Sequence, residues 1–252
     1  METIKTLLNH KTIRNYKTDP IDDHILDEIL EAGFRASTTG NMQVYSVIVT
    51  KDEQRRKELC KLHFGQQMVE QAPVTLTFCA DFNRFNKWCE QRDANPGYDN
   101  FLSFFTASID ALLVAQNVCV AAEAHGLGIC YLGPTTYQAD KLIDFFDLPE
   151  GVVPVTTVVV GYPNEDPEQV DRLPAEGVVH QEQYKDYSPE DIDRIYSHKE
   201  NLPLTAKLIE ENQLENLAQI FTFKRYTKKD NVHFSKVFLD AIEDQGFMNN
   251  EE

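Results

Sequence analysis

Apolar residues recur along this chain at two different spacings, and the switching between them predicts a mixture of helices and strands. Ile4, Leu7 and Leu8 fall at helical spacing and predict a short helix over 3–8. Pro20 with Asp22 and Asp23 marks a second helix start, and Ile25, Leu26, Ile29 and Leu30 give that helix one apolar face to about Phe34. The β-branched run Val44–Thr50 predicts a strand, followed by a charged helix over about Asp52–Leu62. In Val74–Ala80, Val, Leu, Phe and Ala alternate with Thr and Cys, which is strand period. Asp81–Asn100 is polar, holds Trp88 and Asn95-Pro96-Gly97, and reads as a loop. Phe101–His125 is apolar on most faces, with Ile109, Leu112, Leu113, Val118, Val120 and Ala121, and predicts a central, buried helix stopped by Gly126.

Beyond it the pattern predicts a short strand at Ile129–Leu132, a helix over about Ala139–Phe146 and a strand over Val152–Val160 ended by Gly161-Tyr162-Pro163. Residues 164–187 are acidic and irregular. Ser188-Pro189-Glu190-Asp191 has the form of a capping box with Pro at its first helical position, and helical periodicity continues through Leu204–Ile209, Leu214–Phe221 and Val237–Ile242. The elements lack regular βαβ spacing, which points to an α+β fold. The expected organisation is a core over 1–187 and a C-terminal helical extension of the same domain over 188–252.

Charge narrows the partners. With 41 acidic and 24 basic residues in 252, the net charge of -17 repels nucleic acid and anionic membrane, so neither is an expected partner. The five cysteines (Cys60, Cys79, Cys89, Cys119 and Cys130) form no CxxC pair and fit a reduced, cytoplasmic setting better than a disulfide or zinc framework. No signal peptide is visible, and no apolar run approaches the roughly 20 residues that span a bilayer.

Against this acidity, a few polar clusters stand out. His10-Lys11-Thr12-Ile13-Arg14 offers cations and a hydroxyl suited to a phosphate, although spacing alone favours a solvated basic loop. Thr38-Thr39-Gly40-Asn41-Met42-Gln43 offers hydroxyls and amides that can meet the edge of a flat heteroaromatic ring, or simply close a turn. Gln66, in Gly65-Gln66-Gln67, can reach a ring edge, though a helix-ending turn explains its glycine equally well. Tyr131-Leu132-Gly133-Pro134-Thr135 ends a strand with an aromatic, a glycine and free backbone amides. Arg172 offers a second phosphate contact or a surface pair with Asp171 or Glu168. No GxSxG, HExxH, P-loop or GxGxxG is present, and no catalytic triad or metal motif is expected.

In this order, the clusters resemble the nitroreductase family of FMN-dependent oxidoreductases, best its larger branch typified by NADPH nitroreductase A and flavin reductase P. The motifs carrying the likeness run from His10-Lys11-Thr12-Ile13-Arg14-Asn15-Tyr16 through Thr38–Gln43, Gly65-Gln66, Phe78–Asn83, Gly126-Leu127-Gly128, Tyr131-Leu132-Gly133 and Gly161-Tyr162-Pro163 to Arg172-Leu173-Pro174. The resemblance implies a mainly antiparallel sheet flanked by helices and a homodimer with FMN at its interface. It implies His10, Lys11, Thr12, Arg14 and Arg172 around the phosphate and ribityl, and Thr38, Thr39, Asn41, Gln43 and Gln66 hydrogen-bonding the cofactor. Tyr131, Leu132, Gly133 and Thr135 would lie along the ring. It further implies ping-pong transfer from NADPH or NADH to a nitroaromatic, quinone or flavin, with the chemistry on FMN and no catalytic side chain. Three places depart from the branch. Val170 stands where a Lys is usual, Pro134 where a second glycine is common, and Tyr196–Lys199 holds no counterpart of the NADPH-phosphate arginine. Other readings are a non-catalytic FMN store, a specialised flavin reaction such as reductive dehalogenation, and an acidic scaffold with incidental basic clusters.

Overall fold

The computed structural model describes residues 2–249, so Met1 and 250–252, which the expected domain bounds included, lie outside the described residues. Its helices are α1 (Glu2–Leu8), α2 (Asp23–Phe34), α3 (Glu53–Leu62), α4 (Met68–Gln71), α5 (Asn83–Glu90), α6 (Phe101–Ala124), α7 (Pro134–Tyr137), α8 (Ala139–Phe146), α9 (Pro189–Glu200), α10 (Pro203–Asn212), α11 (Leu217–Ile220) and α12 (Lys228–Asp244). Its strands are β1 (Tyr45–Thr50), β2 (Val74–Asp81), β3 (Gly128–Leu132) and β4 (Val152–Gly161), paired antiparallel throughout in the order β1-β2-β4-β3. Contacts divide the chain into one unit up to Gln169 that resumes at Phe234, and a second unit, Val170–His233. These divisions fall elsewhere than the 187/188 boundary read from the sequence.

In the first unit the sheet is covered on both faces. One face carries Leu76, Phe78, Val158 and Val160 against Ala111, Val114, Ala115 and Val118 of α6 and Leu26 and Ile29 of α2. The other carries Cys130, Leu132 and Val159 against Leu59 and Cys60 of α3 and Leu142 of α8. The alternation in β2 therefore does not mark a wet face: all eight of its residues are buried, and the Thr77 and Thr157 hydroxyls meet at 3.2 Å. A polar residue inside a covered sheet is tolerated when its hydroxyl finds a partner. Pro154 sits in the central strand β4, opposite the register shift at Phe78/Cys79, where a bulge already interrupts the ladder that its missing N–H would break.

Two expectations are corrected. Residues 81–100 are not all loop: α5 forms there, and the Asp81 carboxylate accepts from the Arg84 backbone N–H at 3.2 Å. Helix α6 is long and apolar enough, by length and composition, to cross a membrane, contrary to the absence of such a run in the sequence reading. It is a core helix, but not buried all round. Ala107, Ala111, Val114 and Val118 face the sheet, whereas Phe101, Leu102, Phe105, Ile109, Leu112 and Leu113 are exposed.

The second unit holds 170–187, largely irregular, then α9, α10, α11 and a π-helical turn at Phe221–Arg225. Ser188 and Asp191 cap α9 reciprocally, as the sequence pattern predicts.

Candidate functional site

The basic cluster is held by β3. Thr12 bridges Ile129 in parallel, and the Ile13 N–H donates to the Ile129 carbonyl at 3.0 Å. Gly128 is required for this approach, because a Cβ there would lie 2.6 Å from Ile13 Cγ1. Two of the three basic side chains are already engaged. His10 Nδ1 stands 2.6 Å from Glu123 Oε1, and Lys11 Nζ 2.7 Å from Asp166 Oδ1. Glu165 accepts from the backbone N–H groups of Arg14 and Asn15, at 2.5 and 3.0 Å. The exposed Arg14 guanidinium makes no hydrogen bond or ion pair among the described residues, so its fork of donors remains available to an anion.

Two turns meet beside this segment. Helix α3 ends in His63, Phe64 and Gly65, the last two left-handed at φ 55° and 69°, and delivers Gln66. A bulky residue in that conformation costs about 1–2 kcal/mol, where glycine costs nothing. His63 is fully buried: its Nδ1 lies 2.9 Å from the Leu59 carbonyl and its Nε2 3.4 Å from Thr135 Oγ1, whose single proton is shared between Nε2 and the Leu132 carbonyl 3.0 Å away. A carbonyl only accepts, so Nδ1 carries the proton; burial holds the imidazole below its ordinary pKa, and the ring is neutral. His63 thus ties the Gln66 turn to the Leu132–Thr135 turn. Burial also pushes the Cys119 thiol up to about 12 and raises Cys79 and Cys130, which leaves no activated thiol among these three.

The structure redistributes the other residues expected at the site. The Leu132 side chain is spent on the core and the Thr135 hydroxyl on its internal bond, so at this turn the backbone and the open Gly133 are what face outward. Tyr131 lies on the opposite face of β3, with its hydroxyl 3.5 Å from Gln116 Oε1. The Thr38–Gln43 turn is elsewhere. Gly40, Asn41 and Gln43 are left-handed, the Asn41 and Gln43 amides meet at 3.3 Å, and Thr39 donates its backbone N–H and its hydroxyl to Asp110 Oδ1 at 2.9 and 3.3 Å. It borders an open cavity of about 530 Å³ lined by Phe34, Met42, Gln43, Tyr45, Ser46, Val47 and Arg84. Asp110 anchors this turn and Glu123 anchors His10, both from α6; at about 1.5 Å per residue they are about 20 Å apart along its axis. One chain therefore holds the two clusters at separate places. Arg172 belongs to the second unit, where it donates to the Val170 and Asp171 carbonyls at 3.2 and 3.0 Å while Asp171 pairs with Lys199 at 2.9 Å.

The β3-side residues fit a phosphorylated flavin. Gln66 Oε1 is buried without a hydrogen-bond partner among the described residues, a costly state that a ligand donor relieves. Arg14 supplies an unspent cation, and Gly133 presents backbone with no atom near its missing Cβ. The sequence reading missed His63, Asp110, Glu123, Glu165 and Asp166 as organisers of the site. Asp110 alone carried a signal, as a single acid between Ile109 and Ala111 in an apolar run.

The chain is 37% identical over 185 residues (73% of this chain, 74% of the relative) to FMN reductase (NAD(P)H) of Bacillus subtilis strain 168. It is 34% identical over 183 residues (73% and 75%) to the oxygen-insensitive NADPH nitroreductase of Salmonella typhimurium. A crystal structure from Bacteroides fragilis NCTC 9343 superposes with a TM-score of 0.95 at 55% identity, over 99% of this chain and 100% of the other. The Nitroreductase family model matches residues 7–162, a stretch that includes the basic cluster, both turns and the whole sheet, and the chain accordingly belongs to the nitroreductase family.

Proposed function

We propose that this chain is an FMN-dependent oxidoreductase that draws electrons from NADPH or NADH and delivers them to small nitroaromatic, quinone or flavin acceptors. The carrying observation is the buried Gln66 Oε1, which has no hydrogen-bond partner among the described residues, together with the Arg14 guanidinium, which makes no bond among them, and the open Gly133 backbone. Flavin mononucleotide supplies, when bound, the two-electron chemistry between reduced nicotinamide and acceptor. The protein's part is binding and orientation. Arg14 would hold the phosphate, Gln66 would accept from a flavin or ribityl donor, and the Gly133 backbone would face the ring. Neutral His63 keeps the two turns in register without placing a charge beneath them.

The working unit in this proposal is a homodimer. The offset of about 20 Å along α6 between the anchors of the Thr38–Gln43 turn and of His10 supports a site completed by amides from a second copy. The exposed stripe Phe101, Phe105, Ile109, Leu112 and Leu113 recurs at helical spacing on α6 and offers an apolar face for that copy. The five cysteines are free, which fits the cytoplasmic setting expected from the sequence.

The test is a visible spectrum of the purified protein followed by anaerobic titration with each reduced nicotinamide. The expected outcome is a yellow protein that is bleached and regains its colour on adding menadione. A protein that binds no FMN overturns the proposal; a yellow protein that neither nucleotide bleaches is an FMN store.

A further inference from the structure

Phe64 occupies a position that packing alone does not explain. It is left-handed at φ 55°, at a helix end where glycine is the usual residue, yet 54% of its surface is exposed. Its ring stands 6.4 Å from Tyr137 and 6.0 Å from Phe234, whereas those two stack on each other at 4.4 Å with planes 14° apart. Tyr137 and Phe234 therefore make the tight contact, and Phe64 borders the pair with more than half of itself turned to solvent. The chain holds a large apolar ring outward at a conformational cost, two residues before Gln66 and across from Tyr137, which follows Thr135 by two. These are the two turns assigned above to the flavin.

We propose that Phe64, backed by Tyr137, is the stacking surface for a flat aromatic acceptor and sets the preference for ring-bearing acceptors over ringless oxidants. The inference rests on the flavin reading of the Gln66 and Gly133 turns. A planar neutral ring gains from offset stacking on an exposed phenyl, while a small inorganic oxidant gains nothing there.

The experiment compares wild-type protein with Phe64→Gly and Phe64→Tyr. Glycine suits the left-handed backbone, so that variant folds. Three quantities are measured: FMN content, the ratio of kcat/KM for menadione to that for ferricyanide, and coumarin binding to the oxidised protein by calorimetry. Expected for Phe64→Gly are wild-type FMN content, a ratio lowered roughly three- to tenfold and a coumarin Kd raised by a similar factor. Phe64→Tyr keeps the ring and restores both. An unchanged ratio and Kd in a yellow Phe64→Gly protein overturn this proposal, as does loss of FMN from that variant, which makes Phe64 part of the flavin site itself. Failure of the flavin reading has a different signature, a wild-type protein that takes up no FMN.

Discussion

Arg14 and Lys11 lie three residues apart in one basic cluster, yet the structure gives them different situations. Lys11 spends its charge on Asp166 at 2.7 Å, whereas the Arg14 guanidinium is unengaged. Composition and spacing cannot separate them, because the acids that neutralise or frame the cluster arrive from residues 165–166, some 150 positions later. The consequence is measurable. A charge-assisted contact contributes about 1.5–3 kcal/mol, so Arg14→Ala raises the FMN Kd roughly ten- to a hundredfold. Lys11→Ala changes it less than about threefold, because an exposed pair contributes little. Flavin fluorescence quenching reads both. His63 illustrates the opposite problem: nothing in Leu62-His63-Phe64 signals a buried ring, and its role exists only because Thr135 is brought to 3.4 Å.

At the scale of elements, capping chemistry is local, and two of its instances, the helix start at Asp22 and the Ser188–Asp191 box, are legible in the sequence. Asp22, Asp52 and Asn100 each accept from a backbone N–H in the first turn of the helix they precede, and Ser188 with Asp191 closes a capping box on α9. The Asp191 carboxyl is held down from 3.8 to about 2, first by the Arg194 hydrogen bond and then by Ser188. A depressed carboxyl stabilises the fold above its unfolded value and loses that contribution as pH falls through the folded one. Hydrogen-exchange protection of the first α9 amides is therefore expected to be full above pH 3.8 and to fade as pH falls towards 2. Ser188→Ala removes the cap itself and costs about 1 kcal/mol, read in the same exchange experiment at neutral pH. Helix α5 escaped the sequence reading because its polar composition, Asn83-Arg84-Phe85-Asn86-Lys87, matches a loop until Asp81 supplies the N-terminal acceptor.

For the whole molecule, the informative mismatch is α6. Its sequence predicts burial all round, but only one face meets the sheet, and Phe105, Ile109, Leu112 and Leu113 are left in water. An exposed apolar stripe on a helix that also sets the separation of the two polar clusters is what supports the homodimer proposed above. Leu113→Glu is expected to give monomers in sedimentation and, with them, a protein that purifies with less than about a tenth of its FMN, since a charge cannot enter an apolar contact unpaired.

Periodicity, caps and glycine positions are properties of neighbours in the chain, so the sequence by itself determined the four strands and the long helices, the α+β class and the residue types able to meet a phosphate and a heteroaromatic edge. Which of those residues share a place was decided by tertiary structure. Strand order put Thr12 beside β3, a buried imidazole joined two turns, and one helix anchored the Thr38–Gln43 turn and His10 at points about 20 Å apart along its axis. The physical reason is range: propensities and caps act over a few residues, whereas a binding site sums contacts between segments that only the packed core can bring together.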